Sequence, residues 1–88
     1  GAKEKLLHEG KSLLPAGVKA VEGNFHRGDI VRIVDEMGEE FARGLVNYPA
    51  AEVRRIQGHH SREIPRLLGY AGDPEVVHRD HLILLSRL

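Results

Sequence analysis

Glycine and proline interrupt this chain so often that it has no room for long helices or strands. Its 88 residues include 10 glycines and 4 prolines, and the apolar segments between them are short. The clearest is Asp29–Val34, in which Ile30, Val31, Ile33 and Val34 are all β-branched. Strands this short bury their apolar faces by curving into a small, partly closed barrel. We therefore predict one mainly β domain with a few short helices over residues 1–88.

Periodicity gives the order of the elements. Alternating or β-branched segments predict strands, and apolar residues three or four positions apart predict helices. The predicted strands are Val18–Val21, Asp29–Val34, Phe41–Tyr48, Val76–Val77 and Leu82–Leu85. The predicted helices are Ala2–Glu9, Ala50–Gln57 and a third that is capped by Ser61 and ended by Gly69.

Particular residues are expected at turns and in the core. Gly38 is suited to a positive φ in the hairpin connection Asp35–Glu39, and Gly44 inside a strand predicts a bulge or a close backbone approach. The expected core residues are the apolar residues on one face of each predicted helix and the two phenylalanines. They are Ala50, Val53, Ile56, Ile64, Leu67, Leu68, Phe25 and Phe41.

Composition excludes several classes of function. Thirteen basic and thirteen acidic residues give a formal net charge of zero, which argues against strong non-specific nucleic-acid binding and leaves only a local patch. Without cysteine there is no disulfide, no thiolate nucleophile and no cysteine-based zinc site. No apolar run approaches the roughly 20 residues that span a bilayer, and the opening residues do not resemble a signal peptide. We expect a cytoplasmic protein with no membrane contact.

Metal and catalytic sites have weak candidates. His59 and His60 are adjacent and would point apart, and His78 and His81 lack further ligands, so we expect no metal and no cofactor. A serine, histidine and aspartate set drawn from Ser61, His78 and Asp80 lacks a strained nucleophile turn. We expect His78 and Asp80 to satisfy backbone groups at a turn.

Several segments together resemble the PUA domain found at the C-terminal end of glutamate 5-kinase. Their order and spacing, rather than any one of them, carry the resemblance. They are Gly10–Val18, Val21–Phe25, Arg27–Val31, Ala42–Tyr48, Ile56–Gly58, Glu63–Ile64, Leu68–Tyr70 and Glu75–Leu82.

The resemblance implies a PUA pseudobarrel, a fold found mostly in RNA-modifying enzymes, where it binds RNA. The parent enzyme would be an ATP-dependent glutamate 5-kinase of proline biosynthesis, and its amino-acid-kinase domain is a partner that this chain does not contain. The family's domain usually has one more strand before Gly1-Ala2. Without it the sheet would have an unpaired edge, which favours a homodimer or strand exchange.

Two basic segments are the candidate RNA contacts. In RNA-binding relatives the loop after the first helix approaches the nucleic-acid backbone, and here Lys11, Ser12 and Gly17 occupy that loop. The second is a basic cluster of Arg54, Arg55, Arg62 and Arg66 with His59 and His60 between them, in which Arg54, Arg55 and Arg62 are the candidate contacts. For the loop, the alternative is a structural role in which Gly10 caps the helix, Leu13 and Leu14 lie in the core and Pro15–Gly17 form a turn. For the arginines, the alternative is a solvated helix surface with Glu52 and Glu63 as ion-pair partners.

The sequence thus predicts a non-catalytic accessory domain that binds structured RNA. An alternative stays open, in which the domain regulates or assembles the kinase and binds no RNA, since the net charge is zero and aromatic residues for base stacking are few.

Overall fold

The computed structural model describes residues 12–85. The predicted helix Ala2–Glu9 and the candidate residue Lys11 lie outside this range. The described part contains a three-stranded antiparallel sheet, made of β1 (Ile30–Val34), β2 (Glu40–Val46) and β3 (Val77–Leu84) in the order β1-β2-β3. Two short helices, α1 (Ala50–Ile56) and α2 (Ile64–Leu68), pack against it, so the mainly β class is confirmed.

The β1–β2 hairpin turns where the sequence predicts it. Gly38 has a φ of 81°, a conformation that glycine adopts without the steric cost paid by other residues. The carboxylate of Asp35 accepts hydrogen bonds from the backbone N–H groups of Met37 and Glu39, both at 2.9 Å. A side chain thus satisfies the backbone donors of the turn, as aspartate commonly does.

The last two predicted strands are wrong as separate elements, because residues 77–84 form one continuous strand. Two steps along β2, from Gly44 to Val46, are matched by five steps along β3, from Val77 to Leu82. The additional residues of β3 form a wide bulge at His78–His81. The polar residues of this segment are typical of a turn, which is why the sequence predicts two strands. In the structure, pairing with β2 resumes at Leu82.

The prediction for Gly44 is confirmed in both its forms. The register of β2 and β3 shifts beside it, and the backbone of β3 approaches it closely. A Cβ atom at this position would lie 2.8 Å from the carbonyl oxygen of His81 and would overlap the side chain of Val77. Glycine at this position therefore allows the backbone of β3 to pack closely beside β2.

Each helix buries the face that its sequence predicts. In α1 the buried residues are Ala50, Val53 and Ile56. In α2 Ile64 is buried, while Leu67 and Leu68 are partly buried against the core. Gly69 ends α2 in the left-handed conformation, with a φ of 81°.

Ser61 does not cap the third helical segment. It begins a 3-10 turn, Ser61–Glu63, and the cap is His60. The Nδ1 atom of His60 accepts from the backbone N–H of Arg62 at 3.1 Å, and the carboxylate of Glu63 accepts from the backbone N–H of His60 at 3.2 Å. This is a capping box in which a histidine takes the place of the usual serine or threonine.

The predicted strand Val18–Val21 is also wrong. A 3-10 turn, Pro15–Gly17, ends directly before this segment, and the backbone N–H of Val18 caps it by bonding to the carbonyl of Pro15 at 3.0 Å. Val18 and Val21 are only partly buried against the core. The apolar alternation therefore serves side-chain packing in an irregular segment, without a neighbouring strand among residues 12–85.

One apolar core joins the sheet and the helices. It lies between one face of the sheet and the two helices, and it extends to Leu13, which pairs with Val77 as an isolated bridge. Tyr48 is 1% exposed, and its hydroxyl donates to the carbonyl of Asp73. Phe41 is buried as predicted, whereas Phe25 is only partly buried. None of the helices in the described part is long and apolar enough to cross a membrane.

Candidate nucleic-acid interface

The loop Ser12–Gly17 is fixed at both ends by hydrogen bonds to other elements. At its start the backbone N–H of Leu13 donates to the carbonyl of Val77 at 2.9 Å, and the carbonyl of Leu13 accepts from Val76 at 2.8 Å. Further along, the carbonyl of Pro15 accepts from the backbone N–H of Gly58 at 2.8 Å, just beyond α1. The loop therefore connects β3 to the end of α1, and its shape is set before any ligand arrives.

Within this loop one predicted core residue points outward. Leu13 is buried and Leu14 is 46% exposed, so the expectation that both lie in the core holds for Leu13 alone. Pro15 is buried and anchors the 3-10 turn. Gly17 ends the turn, with its N–H donating to the carbonyl of Leu14 at 3.0 Å. The rigid loop presents Leu14 and backbone to solvent.

Ser12 contacts a residue that the sequence analysis did not select. Its hydroxyl oxygen accepts from the backbone N–H of Arg79 at 2.9 Å. Arg79 lies in the bulge of β3 and is exposed. In the sequence it lies in the predicted turn before the last strand, where a basic side chain gives no sign of meeting Ser12. The bulge brings the two residues together.

The three predicted arginines occupy different environments. Arg54 donates from Nη2 to the carbonyl of Gly23 at 2.6 Å, so its guanidinium holds the loop between Val18 and β1. Arg55 and Arg62 are exposed, and their side chains make no ion pair with other residues of the described range. Gly58, which contacts the Ser12–Gly17 loop, lies between them in the chain. The loop thus contacts the chain segment between Arg55 and Arg62 at Gly58, and Arg54 has a structural contact with Gly23.

The expected acidic partners of these arginines have other contacts. Glu63 accepts from Nη2 of Arg66 at 2.6 Å. This hydrogen bond, together with the one from the His60 backbone, lowers the pKa of the Glu63 carboxyl. Glu52 accepts from the hydroxyl of Tyr70. Neither carboxylate forms an ion pair with Arg55 or Arg62, so both guanidinium groups are available to an anionic ligand.

Tyr70 is an exposed aromatic residue whose hydroxyl contacts α1 through Glu52. It is 45% exposed, and its ring centroid lies 6.5 Å from that of Tyr48. The hydrogen bond to Glu52 raises the pKa of Tyr70 to about 12, with burial as a smaller contribution. A half-exposed, neutral ring is the kind of surface on which a nucleic-acid base stacks.

The histidines do not assemble a metal site in the part of the chain that the structure describes, where no group of three or more histidine, aspartate or glutamate side chains is suitably placed. His78 accepts from the backbone N–H of Asp80 at 3.1 Å through Nδ1. The predicted backbone role is confirmed for His78, although it occurs in a bulge and not in a turn between strands. It is wrong for Asp80, whose carboxylate lies 3.5 Å from Nδ1 of His78 and accepts from no backbone group of the described residues.

The fold and the comparison with known families agree on the class. The family model of the PUA domain matches residues 1–68, and the chain belongs to the PUA domain family.

Curated relatives that it resembles include several glutamate 5-kinases. The chain is 60% identical over 85 residues to glutamate 5-kinase of Nitrosospira multiformis. This aligned region covers 97% of the chain and 23% of that protein. It is 54% identical over 85 residues to the enzyme of Bordetella petrii, with 97% and 22% covered, and 52% identical over 87 residues to that of Dictyoglomus thermophilum, with 99% and 24% covered. The chain thus spans less than a quarter of the length of these relatives and matches their C-terminal part.

Proposed function

We propose that this chain is a non-catalytic, RNA-binding PUA module that serves as the accessory domain of a cytoplasmic, ATP-dependent glutamate 5-kinase. The observation that carries the binding role is the pair of exposed arginines, Arg55 and Arg62. In sequence they flank Gly58, whose backbone N–H bonds to the loop Ser12–Gly17. Family membership and the kinase relatives support the parentage.

The contact chemistry favours the backbone of a structured RNA. Guanidinium groups bind phosphate oxygens with paired, charge-assisted hydrogen bonds. The loop Ser12–Gly17 contacts Gly58, which lies between the two arginines in the chain, and the backbone of the exposed residue Arg79 bonds to Ser12 at the start of this loop. Among the phenylalanine and tyrosine rings of residues 12–85 only Tyr70 is exposed, so most of the binding free energy would come from phosphate contacts. Binding would be weak and sensitive to salt, since the net charge is zero.

Fluorescence anisotropy with a labelled RNA hairpin, in a series of salt concentrations, tests this function. The double variant Arg55→Gln/Arg62→Gln should bind more weakly at every salt concentration, and the slope of log K against log salt should fall by about one for each lost phosphate contact. The matched control is Arg32→Gln/Arg43→Gln, which removes the same charge from strands β1 and β2 and should bind almost as well. Equal losses in the two double variants, or no binding by the parent chain at low salt, would overturn the proposal.

A second candidate function is regulation or assembly of the kinase without RNA. It is favoured by the exposure of large apolar side chains on the sheet, where Ile30 is 71% and Ile83 is 67% exposed. The outer edge of β1 also has no partner strand within residues 12–85, which favours pairing with a second copy. Glutamate kinase assays and sedimentation with and without the domain distinguish this function, which predicts a change in feedback inhibition or in oligomeric state.

A further inference from the structure

The face of the sheet that points away from the core combines apolar residues with two arginines. Strand register places Ile30 opposite Leu45, and Arg32 opposite Arg43, on neighbouring strands. On the other side of β2, Arg43 lies opposite Ile83. Residues directly opposite in an antiparallel pair share one face. With Val34 and Glu40, which pair at the end of the hairpin, they form what we call the outer sheet face: Ile30, Arg32, Val34, Glu40, Arg43, Leu45 and Ile83.

This outer sheet face is unusually apolar for a solvated surface. Four of its seven side chains are large and aliphatic, and among the large hydrophobic residues of the described range only Met37 is more exposed than Ile30 and Ile83. Val34 is 49% exposed. A contiguous group of this kind on a small domain marks a contact surface more often than a freely solvated one.

The charges on the outer sheet face select the kind of partner. Arg32 and Arg43 lie directly opposite each other, an arrangement that is unfavourable for like charges. Glu40 contacts both, with a hydrogen bond from Nε of Arg43 and an approach of 3.9 Å from Nη1 of Arg32. Two guanidinium groups thus share one carboxylate, and the face keeps a net positive charge at its centre. A carboxylate from a partner would complete the pairing.

The same charges disfavour a second copy of this chain as the occupant. A two-fold axis through the face would place the arginine pair of one copy against that of the other. The relatives supply an alternative, because they are more than four times as long as the region they share with this chain. Most of such a protein lies outside this domain and is held at high effective concentration by the covalent connection.

We propose that the outer sheet face is the docking surface for the catalytic part of the glutamate 5-kinase polypeptide, which presents apolar residues and at least one carboxylate toward Arg32 and Arg43. This inference rests on the parentage in the proposed function, but not on RNA binding. The proposed RNA contacts involve the loop Ser12–Gly17 and the helical segments. Docking uses the outer sheet face, which points away from the core.

Cysteine labelling tests the docking surface, since the chain has no cysteine of its own. Ile83→Cys is placed in the 88-residue chain and in a chimera in which this chain replaces the matching region of the Nitrosospira multiformis kinase. The readout is the rate of alkylation of the peptide that carries the new cysteine, measured by mass spectrometry. Ala71→Cys, in the exposed loop between α2 and β3, is the matched control.

We expect Ile83→Cys to react about tenfold more slowly in the chimera than in the chain alone, equivalent to about 1.4 kcal/mol of protection, while Ala71→Cys reacts equally in both. Adding Arg32→Glu and Arg43→Glu should restore fast labelling of the chimera. Equal rates for Ile83→Cys in the two proteins would overturn the inference. Slow labelling of the chain alone that depends on its concentration would also overturn it, in favour of a second copy.

The outcome for docking is separable from the outcome for parentage. A chimera that phosphorylates glutamate but shows no protection of Ile83→Cys supports the parentage and contradicts the docking surface. A chimera with protection but without glutamate phosphorylation supports docking and contradicts this chain as a functional replacement for the kinase's own domain. RNA binding is measured separately with the Arg55 and Arg62 variants.

Discussion

The hydroxyl oxygen of Ser12 accepts a hydrogen bond from the backbone N–H of Arg79 at 2.9 Å and thereby joins the candidate binding loop to the bulge of β3. An N–H in a bulge has lost its ladder partner, so a side-chain acceptor replaces that partner. Ser12 therefore has a structural contact in addition to the phosphate contact that the sequence predicts. The hydroxyl proton remains a donor for a ligand.

The first prediction concerns the stability supplied by this hydrogen bond. Ser12→Ala should lower the free energy of unfolding by about 1 kcal/mol, the usual net value of a hydrogen bond, while Ser12→Thr, which keeps the hydroxyl, should lower it less. Urea denaturation followed by circular dichroism measures both. An unchanged free energy of unfolding for Ser12→Ala would contradict the structural contact, and a loss of RNA affinity at unchanged stability would indicate a phosphate contact alone.

The second prediction concerns the close approach of β3 to β2 at Gly44. Gly44→Ala places a methyl group against the carbonyl of His81 and the side chain of Val77, so it should destabilise the chain by about 2–3 kcal/mol, as overpacking commonly does. The control is Gly38→Asn in the hairpin turn. Its φ is 81° and nothing lies within 4 Å of an added Cβ, and asparagine tolerates this conformation.

Thermal unfolding of the two glycine variants gives the comparison. Gly44→Ala should unfold at a clearly lower temperature than Gly38→Asn. If the two variants are equally stable, β3 does not approach β2 at Gly44 as described.

The elements that depend on local chemistry are those the sequence predicts well. Gly38 has the positive φ that its hairpin requires, and the buried face of α1 follows from helical spacing alone. Gly44 also stands out locally, because a glycine inside a strand is costly unless another backbone approaches. Each of these features is determined by a few neighbouring residues.

The errors occur where distant residues decide the structure. Residues 78–81 contain the polar residues of a turn, yet pairing with β2 on both sides keeps them within one strand. Val18–Val21 alternates like a strand but has no neighbouring strand in the described range. His60 rather than Ser61 forms the cap, since its ring reaches the N–H of Arg62. Sequence patterns of a single segment do not contain these partners.

The candidate site was predictable in its residue types but not in its geometry. Arg55 and Arg62 are exposed without ion-pair partners among residues 12–85, whereas Arg54 is held by the carbonyl of Gly23. Three neighbouring basic residues look equivalent in sequence. Only the fold of the segment before β1, which brings Gly23 to α1, separates Arg54 from the others. The same holds for Arg79, which a bulge brings to Ser12.

The third prediction concerns the ionisation of Tyr70. Its hydrogen bond to Glu52 raises its pKa to about 12, which means that the folded chain holds the phenolic proton more tightly than the unfolded chain. The stabilising contribution is complete below the ordinary tyrosine pKa of about 10. It is lost as the pH rises from about 10 through about 12, where the folded chain also ionises.

Absorbance titration of tyrosinate in Tyr48→Phe, which leaves Tyr70 as the only tyrosine, measures this pKa. Glu52→Gln in the same background should return the pKa of Tyr70 toward about 10. A Tyr70 that already titrates near 10 with Glu52 present would contradict the hydrogen bond. Glu75→Gln is the control, because it removes a carboxylate that does not bond to this hydroxyl.

The fourth prediction separates the role of Arg54 from that of its neighbour. Because Nη2 of Arg54 donates to the carbonyl of Gly23 at 2.6 Å, Arg54→Gln should loosen the segment from Glu22 to Gly28 and lower the free energy of unfolding by about 1 kcal/mol. Hydrogen exchange should accelerate in this segment. Arg55→Gln removes the same charge one position along α1 and should leave both measurements unchanged, because its side chain contacts solvent.

RNA affinity should show the opposite order for these two variants. Arg55→Gln should weaken binding to the RNA hairpin and reduce its salt dependence, since an exposed guanidinium is available to a phosphate. Arg54→Gln should bind within about twofold of the parent chain, a difference of about 0.4 kcal/mol, once the concentration of folded protein is equal. Should Arg54→Gln lose more affinity than Arg55→Gln without a change in hydrogen exchange, the guanidinium of Arg54 contacts RNA and its bond to Gly23 is dispensable.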